Sequence, residues 1–330
     1  MSALGDLHAP MRQPDALFAG AVAARAAQVL RPSGALQRLD DLAVWLAGWQ
    51  RTTNPRIDRP VALVFAADHG VAAGGVSAYP AEITASMLNA FRSGASSINV
   101  MARQLGARVD AIDVGVGQPT EDLRYAPAMD HRRFDDAVLA GRAAVASADA
   151  DVIVLGEMGI GNTTAAAAVC AALCGGDTDD WVGRGTGVDD EGLARKRDAV
   201  TVARARIAGV TDPVEVLRQV GGLELAAMAG AIVEARSRGL PLLLDGYVTA
   251  AAALPLACVN RDALAHCVAG HRSAEPGHRR VLAHLGLEPL LDLGMRLGEG
   301  SGAMAAVPLL SLACRLVTDV PTFGEWFAPE

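Results

Sequence analysis

The chain has 330 residues, more than a minimal domain needs, and this length suits one large α/β unit with a smaller partner. A net charge of −8 with 4% aromatic residues and no basic stripe argues against a nucleic-acid partner. No window reaches the roughly 18 uninterrupted apolar residues of a membrane span. The N-terminus lacks a signal-peptide core, and the five cysteines fall in apolar segments. A protein of the reducing cytoplasm is therefore expected.

The first 50 residues are predicted to be helical, because apolar residues recur at helical spacing over 15–31 and 34–50. From residue 60, short apolar runs that end in glycine or an acid alternate with helical patterns. The runs predict strands at 61–65, 109–114, 152–155 and 242–246. The helical patterns lie at 80–92 (with Pro80 at the first position), 136–147, 162–174, 190–237, 247–257 and 300–316. This alternation predicts a doubly wound, mainly parallel α/β sheet.

Polar residues collect where the predicted strands end, and ligands of such sheets bind beyond these carboxyl ends. Asp68 and His69 follow the first strand, and His69 is either an acid–base group or, as we favour, a structural residue. Two pairs could suggest a metal: Cys170 with Cys174, and His271 with His278. Neither spacing completes a standard site, so no metal is expected.

Residues 156–164 form a glycine-rich turn between a strand and a helix, which is a favourable place for an anion. The segment approaches the P-loop pattern, but Asn162 stands where that pattern has the lysine that reaches the outer phosphates of a triphosphate. Glu157 within the turn also disfavours a highly charged polyphosphate. A ligand with fewer phosphates, such as a mononucleotide, is predicted.

A second glycine-rich turn lies at 183–187, followed by a helix that Asp189 or Asp190 can cap. Lys196, the only lysine of the chain, is about two turns into that helix. One interpretation is a second phosphate-binding turn with Lys196 as the counter-charge. The other is a flexible surface loop with a solvated lysine, and both stay open from the residues alone.

Glu299 lies between two glycines immediately before the helix of 300–316, where Ser301 is a candidate N-cap. The flanking glycines would let a flat ligand pack against the backbone beside the carboxylate. Near an apolar slot the pKa of such a carboxyl rises, which suits a general base. The segment 76–80 could form a wall of an aromatic pocket or only staple the next helix.

These motifs together resemble the nicotinate-nucleotide–dimethylbenzimidazole phosphoribosyltransferases of cobalamin biosynthesis. The matching segments, in the order of the family, are 67–71 (ADHGV), 75–80 (GVSAYP), 156–164 (GEMGIGNTT), 183–187 (GRGTG), 222–224 (GLE), 244–246 (LDG), 273–275 (SAE) and 293–302 (LGMRLGEGSG). They cover residues 60 to 316, whereas the first 55 residues are similar to the family only as generic helices.

The resemblance implies transfer of ribose 5-phosphate from nicotinate mononucleotide to a benzimidazole-type base, without a metal or cofactor. It implies Glu299 as general base, with Glu157 and Asp245 near the reacting centre. The implied substrate-binding residues are Ser77, Tyr79, Gly159, Gly161, Asn162, Thr163, Gly183, Gly185, Thr186, Gly187, Lys196, Ser273 and Leu297. Asn162 in place of a lysine agrees with a donor that carries a single phosphate.

The resemblance also implies a homodimer with a Rossmann-like large domain and a small helical one. The expected division is a helical segment at 1–55, a catalytic domain at 56–300 and a helical segment at 301–330 that packs with the small domain. Two alternatives are a nucleotide-binding regulator, suggested by the near P-loop, and a catalytically silent binding protein of the same pathway. The first predicts ATP or GTP binding with magnesium, and the second predicts a dispensable Glu299.

Overall fold

Five parallel strands form one sheet in the computed structural model, which describes residues 3–328. The strands are β1 Pro60–Ala67, β2 Arg108–Gly115, β3 Val152–Met158, β4 Leu242–Leu244 and β5 Cys267–Ala269, in the spatial order β2-β1-β3-β4-β5. The helices are α1 Ala16–Ala26, α2 Gln37–Gln50, α3 Ile83–Ser93, α4 Ser97–Gln104, α5 His131–Ser147, α6 Asn162–Cys174, α7 Asp190–Arg206, α8 Pro213–Val220, α9 Leu223–Arg238, α10 Tyr247–Val259, α11 Pro276–Leu285, α12 Ser301–Thr318 and α13 Phe323–Trp326.

Helices cover both faces of the sheet, which confirms the doubly wound prediction. Along β1, Leu63 and Phe65 belong to the core shared with α5, α6, α9 and α10, whereas Ala62 and Val64 belong to the core shared with α3, α4 and α12. All eight residues of β1 are buried. Burial on both faces explains why the strands are continuous apolar runs in the sequence.

Several boundaries differ from the prediction. The stretch 190–237 is three helices, because Pro213 can begin a helix but not continue one and Gly221 and Gly222 separate α8 from α9. The prediction that Pro80 opens a helix is wrong, since α3 begins at Ile83. The strand β5 and the helices α4 and α11 were not predicted, and all three are short.

The terminal helices pack together. Val22 of α1, Leu42 of α2 and Val317 of α12 share a small apolar cluster, while α12 also packs on the sheet. Within residues 3–328, α12 alone is long and apolar enough to cross a membrane, and 56% of it is buried inside the fold. The division at residues 55 and 300 stays a prediction.

Candidate active site

The cleft at the carboxyl edge of the sheet brings together most of the predicted site residues. It is lined by the end of β3, the two glycine-rich turns, the start of α10 and two later loops. The predicted residues that line it are Ser77, Glu157, Gly159, Gly161, Asn162, Thr163, Gly185, Thr186, Lys196, Ser273 and Leu297. The structure thus places both glycine-rich turns on one cleft, which the separate motifs left undecided.

The first glycine-rich turn is shorter than the sequence indicated. Strand β3 continues through Glu157 to Met158, and α6 begins at Asn162 after Gly161, whose φ of 96° lies in the left-handed region. The N-cap residue Gly161 has no side chain to cap α6, and the N-terminal residues of this helix line the cleft. This end of α6 is suited to an anion.

The structure shows a specific contact for Asn162, the residue that stands at the position of the P-loop lysine. Its Nδ2 donates a short hydrogen bond to Oε2 of Glu157, so the amide is committed to the carboxyl group. Glu157 is 8% exposed, and burial, followed by the negative charge of Asp245, raises its pKa to about 8. A protonated Glu157 is therefore well populated at neutral pH.

Glu299 lies in a left-handed segment of backbone beside the cleft. Its φ is 66°, between Gly298 at 80° and Gly300 at 85°. A methyl group at Gly156 would lie 2.4 Å from the carbonyl oxygen of Glu299, so β3 and this segment touch through backbone. Gly298 lines the cleft directly, while Glu299 is 5% exposed and lies behind it. Burial, then the charge of Asp245, raises the pKa of Glu299 to about 7.

Asp245 is fully buried and does not line the cleft. Its carboxylate accepts hydrogen bonds from the backbone N–H groups of Gly300 at 3.3 Å and Ala303 at 2.8 Å, and so caps α12. Ser301, the expected N-cap, is instead the first helical residue after Gly300. Burial raises the pKa of Asp245 to about 7 against the opposing effect of these hydrogen bonds.

The second glycine-rich turn and Lys196 form the positive side of the cleft. Of the two predicted candidates, Asp189 and not Asp190 caps α7, by accepting a hydrogen bond of 2.7 Å from the backbone N–H of Gly192. Lys196 is 1% exposed, and its Nζ donates to Oγ1 of Thr163 at 2.9 Å. Burial lowers the pKa of Lys196 to about 8. A buried ammonium at the start of α6 excludes the solvated-lysine interpretation.

Some predicted residues lie outside the cleft lining. Tyr79 is 51% exposed on the surface, so it does not form a wall of this cleft. Gly183 packs against Glu275, and Gly187 lies in the turn with a φ of 122°. His69 is buried and its Nε2 lies 2.6 Å from Oε1 of Glu224, which agrees with the structural interpretation.

The lining residues that were not predicted as site residues include Glu275, His271 and Arg296. Glu275 belongs to the SAE segment, but nothing in its sequence context shows that it reaches the turn at 183–187. His271 is weighed as a metal ligand in the sequence, where no substrate contact is predicted for it. Across residues 3–328, no cluster of three or more His, Cys, Asp or Glu side chains could hold a metal ion.

The fold and cleft define an α/β protein whose candidate site, with a buried lysine and two glycine-rich turns, lies at the ends of parallel strands. The model of a family described as DBI_PRT phosphoribosyltransferase matches residues 11–326, and the chain belongs to this family. It is 50% identical to a nicotinate-nucleotide–dimethylbenzimidazole phosphoribosyltransferase of Roseobacter denitrificans over 97% of this chain and 95% of that protein. A protein of the same name from Mesorhizobium japonicum is 50% identical over 93% and 91% of the two chains. The crystal structure of CobT from Thermus thermophilus superposes with a TM-score of 0.90 at 43% identity, covering 95% of this chain and 99% of that one.

Proposed function

We propose that the protein transfers ribose 5-phosphate from nicotinate mononucleotide to 5,6-dimethylbenzimidazole or a related base. The products are α-ribazole 5′-phosphate and nicotinate. The observation that carries the proposal is the charge distribution of the cleft. Lys196 and the two glycine-rich turns lie together on the cleft, where they suit a single phosphate, and buried carboxyl groups with raised pKa values lie nearby.

In this reaction the bond from C1′ of the ribose to the pyridinium nitrogen breaks, and nicotinate leaves with its ring neutral. A bond forms from C1′ to one imidazole nitrogen of the acceptor, and Glu299 takes the proton of the other nitrogen. Glu157, which lines the cleft, is the carboxyl group that in its ionised form would offset the positive charge that develops at C1′. The pyridinium is already a cationic leaving group, so no metal is required to expel it.

The phosphate would be held by the N-terminus of α6, the turn at 183–187 and the Lys196 ammonium. Ser77 and Leu297, which both line the cleft, would contact the flat acceptor base. Holding donor and acceptor on opposite faces of the ribose supplies most of the acceleration through orientation. Family membership also supports a homodimer in the cytoplasm with the domain division given above. Light scattering on the purified protein tests the dimer.

The direct test mixes the purified protein with nicotinate mononucleotide and 5,6-dimethylbenzimidazole and follows nicotinate release by chromatography. Release that depends on the acceptor supports the proposal. Lack of release with benzimidazoles, purines and phenols alike contradicts it. Binding of ATP with magnesium in place of turnover would instead favour a nucleotide-binding regulator.

A further inference from the structure

Glu275 joins the second glycine-rich turn to the loop before α11. Its Oε1 accepts a hydrogen bond of 2.8 Å from the backbone N–H of Gly185. The residue is 9% exposed and lines the cleft. A bond from a carboxylate to a backbone N–H is charge-assisted and stronger than a neutral one. The turn that carries Gly185 is thus fixed from outside its own sequence.

The side chain of Glu275 packs so closely against Gly183 that no side chain would fit at that position. A methyl group at Gly183 would lie 2.3 Å from Oε2 of Glu275 and 2.6 Å from Cδ of Pro276. Pro276 is the first residue of α11 and has a fixed φ, so the support beneath Glu275 is stiff. The need for glycine at position 183 therefore comes from Glu275 rather than from a ligand.

Glu275 also acts on Lys196 through its charge. Burial alone would push the pKa of this lysine down, and the carboxylate of Glu275 raises it again. The other charged or titratable groups that line the same cleft are Glu157, Arg184, Tyr247, His271 and Arg296. Arg184 is paired with Asp190, and Glu275 is the charged group that raises the pKa of Lys196.

We propose that Glu275 is a positioning residue that holds the Gly185 turn and the Lys196 ammonium in the arrangement that receives the 5′-phosphate of the donor nucleotide. This inference rests on the proposed function. It assigns the selectivity for a phosphorylated donor to a residue that does not itself attract phosphate. The opposite possibility is that this carboxylate occupies the phosphate site and competes with the donor.

The test compares Glu275→Ala, Glu275→Gln and the control Glu288→Ala, whose side chain is 79% exposed in a surface ion pair. Loss of a charge-assisted hydrogen bond in Glu275→Ala should raise KM for nicotinate mononucleotide about ten-fold or more. The values of kcat, and of kcat/KM for nicotinate riboside, which has no phosphate, should change little. Glu275→Gln keeps an oxygen acceptor, so its KM near pH 7 should be close to that of the unsubstituted protein. Without the charge of Glu275, Lys196 should lose its proton at a lower pH than in the unsubstituted protein. The KM of Glu275→Gln should therefore begin to rise at a lower pH as the pH is increased.

An unchanged KM in folded Glu275→Ala overturns the inference, and a lower KM shows competition between carboxylate and phosphate. If Glu275→Ala does not fold, the pH profile of Glu275→Gln decides, and a profile identical to that of the unsubstituted protein overturns the inference. Failure of the proposed function is seen separately, as absence of nicotinate release by the unsubstituted protein.

Discussion

Lys196 and Thr163 connect the two glycine-rich turns, through a hydrogen bond of 2.9 Å from Nζ to Oγ1. Thr163 is in the first turn of α6, and Lys196 comes from α7, whose N-terminus follows the second turn. A P-loop lysine lies beside its own glycines, whereas here the ammonium reaches the turn from 33 residues away. The position of this ammonium therefore depends on how α6 and α7 pack.

Replacing Lys196 by Met should weaken donor binding, because the phosphate loses its counter-charge while the buried side-chain volume is kept. A lost charge-assisted hydrogen bond corresponds to a KM for nicotinate mononucleotide raised roughly 10- to 100-fold. The KM for nicotinate riboside should stay close to that of the unsubstituted protein. An equal loss with both donors would show that Lys196 does not contact the phosphate.

Replacing Glu299 by Gln should lower kcat by about 10²- to 10⁴-fold with little change in either KM, because the base is lost and the shape is kept. The pKa of Glu299 is raised to about 7, so the kcat of the unsubstituted protein should fall below pH 7 as the carboxylate gains a proton. Steady-state rates from pH 5 to 9 measure both effects. A Glu299→Gln variant with unaltered turnover would refute the assignment of the base, and Glu288→Gln serves as control.

Glu157 makes stability dependent on pH in a direction that can be stated. Its pKa is about 8 in the folded protein against 4.5 unfolded, so between these values the folded state holds a proton that the unfolded state has lost. The free energy of unfolding should therefore fall as pH rises from 4.5 to 8, by about 1.4 kcal/mol per pH unit for such a group. Glu157→Gln keeps an acceptor for Asn162, and its free energy of unfolding should fall less steeply with pH. Urea titrations at pH 5 to 9 measure this dependence. Parallel curves for the two proteins would contradict this.

The buried pair of His69 and Glu224 should matter far more to stability than a surface pair. Both side chains are fully buried, so His69→Ala leaves a carboxyl group without its partner and should cost about 3–5 kcal/mol in the free energy of unfolding. Arg38→Ala, which breaks the exposed pair with Glu288, should cost at most about 1 kcal/mol. Chemical denaturation of the two variants compares them, and similar losses would show that the buried pair is not a stabilising contact.

The sequence was most informative where a residue's own neighbours decide its structure. The apolar runs of β1 and β3 follow from local pattern and were predicted, and the cap of α7 was narrowed to Asp189 or Asp190, of which the structure has Asp189. Contacts between residues far apart in the chain could not be predicted from local pattern. Asp245 replaces Ser301 as the cap of α12 across 58 residues, and Glu275 reaches Gly185 across 90. Neither pairing leaves a periodic signal, because each depends on where the sheet places a loop.

The backbone conformation of Glu299 lowers the stability of the fold at a residue on which the proposed reaction depends. It is one of two non-glycine residues between 3 and 328 with a positive φ, and such a conformation costs of order 1–3 kcal/mol for a residue with a Cβ. Its Oε2 is also buried with no hydrogen-bond partner among those residues. Glu299→Gly should therefore raise the melting temperature while abolishing turnover, which calorimetry and the nicotinate assay can measure on one preparation. A library of variants selected for thermal tolerance alone would be expected to discard this glutamate early, so directed evolution of this protein needs an activity screen at every round.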